Sequence, residues 1–242
     1  MNGFRRPSWW ALLLTIAGAL FFIRLGFWQL HRADFKESLL RRYAAAETAP
    51  LQDFAAVAAE PPQDSFPRVQ VRGHYRVDRV YLLDNPRHDE RGGVEVFAPL
   101  QIGNQQRLLL VDLGFLPGNG SGKTPSVPPL SAAELDLHGL YVPPPPTGFK
   151  MGGDALVRQT HWPKNSIYLE PAQVVRDLGR PLYSRVLALD ADPASIYVRR
   201  HRLDLTMPPM RHRAYAFQWF SFALAAVVIL LVLHRKRRPR QS

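Results

Sequence analysis

Three side chains near the C-terminal end, His212, Tyr215 and Trp219, are of types that can hold a planar metal cofactor. On a helix, at about 100° per residue, they fall within about 60° of one another, so an imidazole stands above an aromatic stripe. Such a group can ligate a haem iron through a ring nitrogen while aromatic faces cover the macrocycle. The same spacing also describes an interfacial aromatic belt with a polar histidine at its rim, and spacing alone does not separate the two. Arg24, Trp28 and His31 likewise share one face near the N-terminus. An arginine there can pair with a propionate or snorkel toward lipid headgroups.

Other constellations are weaker. His74, His88, His138, His161 and His201 are scattered, with no pair at metal-ligand spacing, so no metal site is expected in the central region. His88-Asp89-Glu90 reads as a turn facing water. No Gly-x-Ser-x-Gly elbow and no clustered acid, base or nucleophile supports an exported hydrolase. Gly118-Asn119-Gly120-Ser121-Gly122-Lys123-Thr124 approaches a phosphate-binding loop, but Pro117 stands where its first glycine belongs. Pro125, Pro128 and Pro129 then oppose the helix whose N-terminus would meet the phosphates, so a hairpin tip is expected instead. The chain has no cysteine, which removes disulfides, thiol redox chemistry, thiolate metal sites and covalent c-type haem attachment.

Two apolar segments must position the flagged residues. Trp9 to Ile23 carries no formal charge but covers only about 22 Å as a helix; extension through Arg24 to Leu30 brings it to about 33 Å, enough for a bilayer core of about 30 Å. A transmembrane helix is therefore expected over 9–30, with Trp9, Trp10 and Trp28 at its two interfaces. A cleaved secretory signal is the rival, but the small residues Ala44 to Ala46 lie beyond the charged stretch Arg32 to Arg42, too far from the apolar core. Ala214 to Leu233 is a second span of 20 uncharged residues, with the basic run from Arg235 to Arg240 behind it.

Position also explains the formal net charge of +11. Arg5, Arg6, Arg24, Arg235, Lys236, Arg237, Arg238 and Arg240 belong to the anchors, and setting these eight aside leaves 23 of 31 basic residues against 20 acidic ones. The excess is punctuation of membrane helices, and no nucleic-acid partner is expected. The basic tail favours the cytoplasmic side, which puts both termini there and the middle outside. The expected order is a cytoplasmic N-terminus over 1–8, helix 9–30, a periplasmic domain over 31–213, helix 214–233 and a cytoplasmic tail over 234–242.

The middle reads as β-rich. Residues 34–46 continue the first helix as an amphipathic segment, and 48–67 form a loop or short helix. Strand patterns then cover 69–75, 80–83 (stopped at Asp84-Asn85-Pro86), 94–100, 107–112, 135–142, 184–189 and 195–198, with a helix at 170–178. The fold class is thus an α+β membrane protein, two transmembrane helices flanking a small sheet or partly closed barrel.

At both anchors the chain resembles the Surfeit locus protein 1 family of cytochrome c oxidase assembly factors. Leu25, Gly26, Trp28, Gln29, Leu30 and Arg32, followed by Lys36, match its first-helix signature. His212, Tyr215, Ala216, Trp219 and Phe220 match its second-helix signature, and segments around Val71 to Tyr75, Leu82 to Asn85 and Phe97 to Leu100 look like its domain. The resemblance implies a non-enzymatic chaperone of the respiratory chain in the cell inner membrane. It also implies transient binding of haem a, with His212 as iron ligand, and partnership with the oxidase catalytic subunit, the haem a synthesis enzyme and the lipid bilayer. Tyr215, Trp219 and Trp28 are expected to shape that site. The alternative is a cofactor-free scaffold that stabilises an oxidase intermediate. Two segments depart from the family pattern: Val111 to Phe115 replaces an asparagine-arginine-glycine-tryptophan type segment, and Met207 to Arg211 replaces an asparagine-rich approach to the histidine.

Overall fold

The computed structural model describes residues 6–63, 65–88, 91–120, 124–147, 153–199 and 207–235. It divides into a helical unit, Met1–Arg41 with Leu203–Ser242, and a domain, Arg42–Arg202. Arg5, Asp89, Glu90, His201 and the basic residues from Lys236 onward lie outside the described residues.

In the helical unit, α1 (Trp9–Glu47) runs unbroken through the expected span and its amphipathic continuation. Its partner α4 (Pro209–His234) starts after Pro208, with proline in the first turn where a missing N–H costs nothing. Both helices are long and apolar enough to cross a membrane. Their outer faces carry bare hydrophobics: Leu14 is 74% exposed and Phe217 76%. An apolar surface of that extent belongs in lipid, where a helix satisfies its own backbone. The chain is accordingly a membrane protein.

The buried stripe between the helices is narrow. On α1 it runs Gly26, Gln29, Ala33 and Lys36; on α4 it runs His212, Ala216 and Ala223. Alternating steps of three and four average 3.5 residues, the period that keeps one seam facing a neighbour. Small residues allow close approach. A Cβ on Gly26 would lie 2.6 Å from the Phe220 ring. Phe22 stacks on Trp219 at 5.9 Å between ring centroids, and Phe27 meets Phe220 edge-on at 5.4 Å.

The domain is a barrel. Its strands are β1 (Gln52–Asp53), β2 (Arg68–Tyr75), β3 (Tyr81–His88), β4 (Arg91–Gln101), β5 (Leu108–Pro117), β6 (Leu135–Val142), β7 (Lys164–Ser166) and β8 (Leu182–Leu189). The sheet order is β1-β2-β6-β8-β5-β4-β3-β7, and a further β2–β4 pairing closes β2, β6, β8, β5 and β4 into a five-stranded ring. The closure is short, His74 with Gln101 and Tyr75 with Leu100. Gly73 makes it possible: a Cβ there would come within 2.4 Å of the Gln101 carbonyl oxygen. Closure removes the edges that an open sheet of these strands would expose.

Val69, Val71, Val96, Ala98, Leu100, Leu109, Val111 and Leu187 fill the interior, joined by Phe54 and Val57 of the short helix α2 (Phe54–Ala58). Each buried valine, leucine or phenylalanine among them contributes about 1.5–3 kcal/mol on burial. A second helix, α3 (Pro171–Leu178), ends at Gly179 in the left-handed conformation, as expected for a C-terminal cap.

Several local expectations are corrected. The turn cluster at Asp84-Asn85-Pro86 does not end β3, which passes it with a register shift between Asp84 and Arg87. A bulge accommodates the proline that a regular ladder would reject. Residues 195–198 contribute a single bridge, Phe115 with Val198, rather than a strand. The segment after Pro117 is no hairpin tip, because β5 and β6 are not neighbours in the ring. It is a crossover between separated strands, without regular secondary structure from Thr124 to Leu130, and residues 121–123 lie outside the described residues.

Candidate cofactor site on the helical hairpin

His212 lies in the first turn of α4 and is 5% exposed, its ring turned toward α1. There Nδ1 sits 2.7 Å from Oε1 of Gln29, itself buried. An amide oxygen accepts and cannot donate, so Nδ1 carries the proton. The other nitrogen, Nε2, is buried with no hydrogen-bond partner. Leaving a buried acceptor unmatched costs about 1–3 kcal/mol, so the arrangement calls for an explanation.

Two contacts pin the same end of the hairpin. Lys36 Nζ donates to the Met207 carbonyl oxygen at 2.7 Å, one turn of α1 beyond Ala33. Arg213 donates to Glu37 at 2.6 Å and approaches Asp34 at 4.0 Å. The pairs Phe22 with Trp219, Gln29 with His212 and Lys36 with Met207 run in opposite senses along the two helices, so the hairpin is antiparallel. The departure at Met207 to Arg211 thus begins with a residue used through its backbone, a contact that tolerates a change of side chain.

The expected site residues separate. Trp219 shares the inner stripe with His212, two turns further along α4, and is half-buried against Phe22. Tyr215 and Trp28 point outward, 41% and 57% exposed, each within a turn of the Gln29 and His212 pair. Arg24 and His31 lie on the same outward side as Trp28, away from α4. Gln29 was missed as a site residue, although it stood in the quoted signature. Its neighbour Trp28 was the more conspicuous ligand-shaping type, and only the packed hairpin shows which of the two meets His212.

In the domain, among the described residues, no group of three His, Asp or Glu side chains can hold a metal ion. His138 Nε2, Asn165 Oδ1 and Gln173 Oε1 are also buried without hydrogen-bond partners, but the imidazole lies 3.6 Å from the Asp136 carboxylate and amide oxygens are poor ligands for haem iron. The other departure from the family pattern, Val111 to Phe115, forms a bulge in β5. Gly114, at φ 113°, takes up the register shift opposite Val96, and Asp112 Oδ1 accepts from the Gly114 N–H at 2.9 Å.

A closed β-barrel that lies in sequence between two helices long and apolar enough to cross a membrane, with a buried, half-satisfied histidine where those helices pack, defines a membrane-anchored α+β protein. The sequence profile of the SURF1 family matches residues 16–224, from within the first helix to within the second. The chain therefore belongs to the SURF1 family. A SURF1-like protein of Rickettsia bellii (strain RML369-C) is 24% identical over 243 residues, a match covering 94% of this chain and 92% of the relative.

Proposed function

We propose that this protein is a non-catalytic assembly factor for a respiratory haem-copper oxidase of the cytochrome c oxidase type, and that it holds haem a for delivery to the catalytic subunit. The observation that carries the reading is the His212 ring, with Nδ1 engaged by Gln29 and Nε2 left as a buried lone pair. A neutral imidazole in that state fits the donor chemistry of haem iron. Trp219, Tyr215 and Trp28 supply aromatic faces within two turns of it. When bound, the haem would supply a Lewis-acidic iron that takes a nitrogen ligand. The protein's part would be to present Nε2 of His212 and to offer aromatic faces to the ring. Because Nε2 is buried, side chains at this end of the hairpin must move aside before a group as large as haem reaches it.

Family membership and the basic residues behind α4 support the rest of the reading. The chain sits in a bacterial inner membrane with both termini cytoplasmic and the barrel periplasmic, and it meets the haem a synthesis enzyme and the oxidase catalytic subunit in turn.

The test is the visible spectrum of detergent-purified protein co-expressed with haem a synthesis enzymes, with pyridine extraction to identify the haem. His212→Ala should abolish the absorbance, and unchanged haem content rejects the assignment. One observation favours a second reading, a cofactor-free scaffold: the inward, 5% exposed His212 also serves as a helix-packing contact. Wild-type protein that stays colourless with haem a abundant decides for the scaffold.

A further inference from the structure

We infer that Gln29 is the positioning residue that fixes the tautomer of His212 and so selects Nε2 as the ligand atom. The selection of a ligand atom rests on the haem-carrier reading; the tautomer does not.

The argument starts from the amide. With Oε1 facing Nδ1 at 2.7 Å, the single proton of a neutral imidazole is held on Nδ1, and the lone pair is left on Nε2. The opposite tautomer would set a lone pair on Nδ1 against the oxygen of Gln29, a repulsive contact, and leave an N–H at Nε2 with no acceptor. Metal-bound histidines in general hold their second ring nitrogen by an outer partner that sets orientation and tautomer, a role usually taken by a carboxylate or carbonyl. Here the partner comes from the other helix, 183 positions away in sequence. The two helices must pack in register for His212 to be set at all. The packing that aligns them is close: Gly26, one turn from Gln29, leaves no room for a Cβ beneath Phe220.

Three variants of the full-length protein in detergent test this. The protein is labelled with 15N-histidine, kept free of haem, and the His212 signals are assigned by their loss in His212→Ala. Wild type should show an unprotonated, pyridine-type Nε2 and a protonated Nδ1. Gln29→Leu should give a mixture of tautomers, while Gln29→Glu, which retains an acceptor, should keep the wild-type pattern. A fixed Nε2 lone pair in Gln29→Leu overturns the inference, as does an unprotonated Nδ1 in wild type. Far-UV circular dichroism of the same samples identifies a variant that has failed to fold, in which case Gln29→Met replaces it.

The second arm uses protein loaded with haem a. Retention should weaken about ten- to a hundred-fold in Gln29→Leu and recover in Gln29→Glu. A tautomer change with unaltered retention overturns the selection of Nε2 as ligand. Wild-type protein that takes up no haem a rejects the carrier reading instead, and the nitrogen shifts still decide for or against Gln29.

Discussion

In the barrel domain the ammonium of Lys164 lies in the interior with its bonds filled. It pairs with Asp177, donates to the Leu156 carbonyl oxygen at 2.9 Å and sits 4.8 Å from the centroid of the Trp162 ring, while Tyr81 donates to the other Asp177 oxygen at 2.9 Å. Arg185 is treated alike, its guanidinium donating to the carbonyl oxygens of Pro62, Ser65 and Tyr141 at 2.6, 2.9 and 3.2 Å. Among the described residues of the helical unit the buried polar side chains are Gln29, Lys36 and His212, and there one imidazole nitrogen is left without a partner. A buried charge that is fully bonded holds a unique fold in place, whereas a half-bonded imidazole holds free energy that a ligand can release. The buried cations Lys164 and Arg185 of the barrel domain are thus held by their own fold, whereas the buried imidazole of the hairpin keeps one nitrogen unbonded.

That contrast can be broken by mutation. The largest effect is expected from Lys164→Ala, which strands the Asp177 carboxylate in the interior. It should cost about 3–5 kcal/mol, seen as a large drop in the thermal midpoint of the domain, and Lys164→Met with Asp177→Leu should recover most of it. If Lys164→Ala melts like wild type, the barrel's ion pair does not hold its fold. Next comes Gly139→Val on β6, since a Cβ there would stand 2.1 Å from the Ala188 carbonyl oxygen of β8. A loss of about 1–3 kcal/mol in denaturant unfolding is expected, with the strands forced apart.

The hairpin should respond in function before stability. Gly26→Leu pushes Phe220 aside and loosens the seam, at a cost of about 1–2 kcal/mol of helix association. Carbethoxylation of His212 by diethyl pyrocarbonate, followed by mass spectrometry, should be slow in wild type and faster in the variant. Equal rates would show that the seam does not bury the ring.

The smallest effect concerns acid. Burial pushes the Asp154 carboxyl up, but the Arg176 guanidinium and the backbone N–H groups of Val157 and Leu156 outweigh it and hold the acid below its ordinary range. A carboxylate with a depressed folded-state pKa stabilises the fold above the unfolded value, and that contribution disappears as pH falls through the folded one. Asp154 is partly open to solvent, so less than about 1 kcal/mol is at stake. Unfolding midpoints compared at neutral pH and below about pH 4 should show a shallower acid loss in Asp154→Asn than in wild type.

Much of the architecture was legible because periodicity is a local property. Two long apolar runs can only be membrane helices or buried cores, and the alternation over 69–75 and 135–142 falls on β2 and β6. The short strands β1 and β7 were not legible. Two and three residues carry no period, and each exists only because a longer strand offers it an edge. The bulge past Pro86 was hidden for the same reason, since turn residues announce a break without saying whether a neighbouring strand will bridge it.

The candidate site divides along the same line. His212 was marked by its residue type and its place at the head of an apolar helix, and its alignment with Trp219 follows from helical geometry alone. Which residue of α1 it meets could not follow, because helical spacing fixes angles within one helix and says nothing about the rotation of a second. Small side chains at Gly26, Ala33, Ala216 and Ala223 set that rotation by letting the backbones approach on one face. The sequence by itself determined the two apolar anchors, the β-rich middle and a histidine fit for a metal. Tertiary structure decided the ring of five strands and the choice of Gln29 over Trp28, because both depend on packing between residues far apart in the chain.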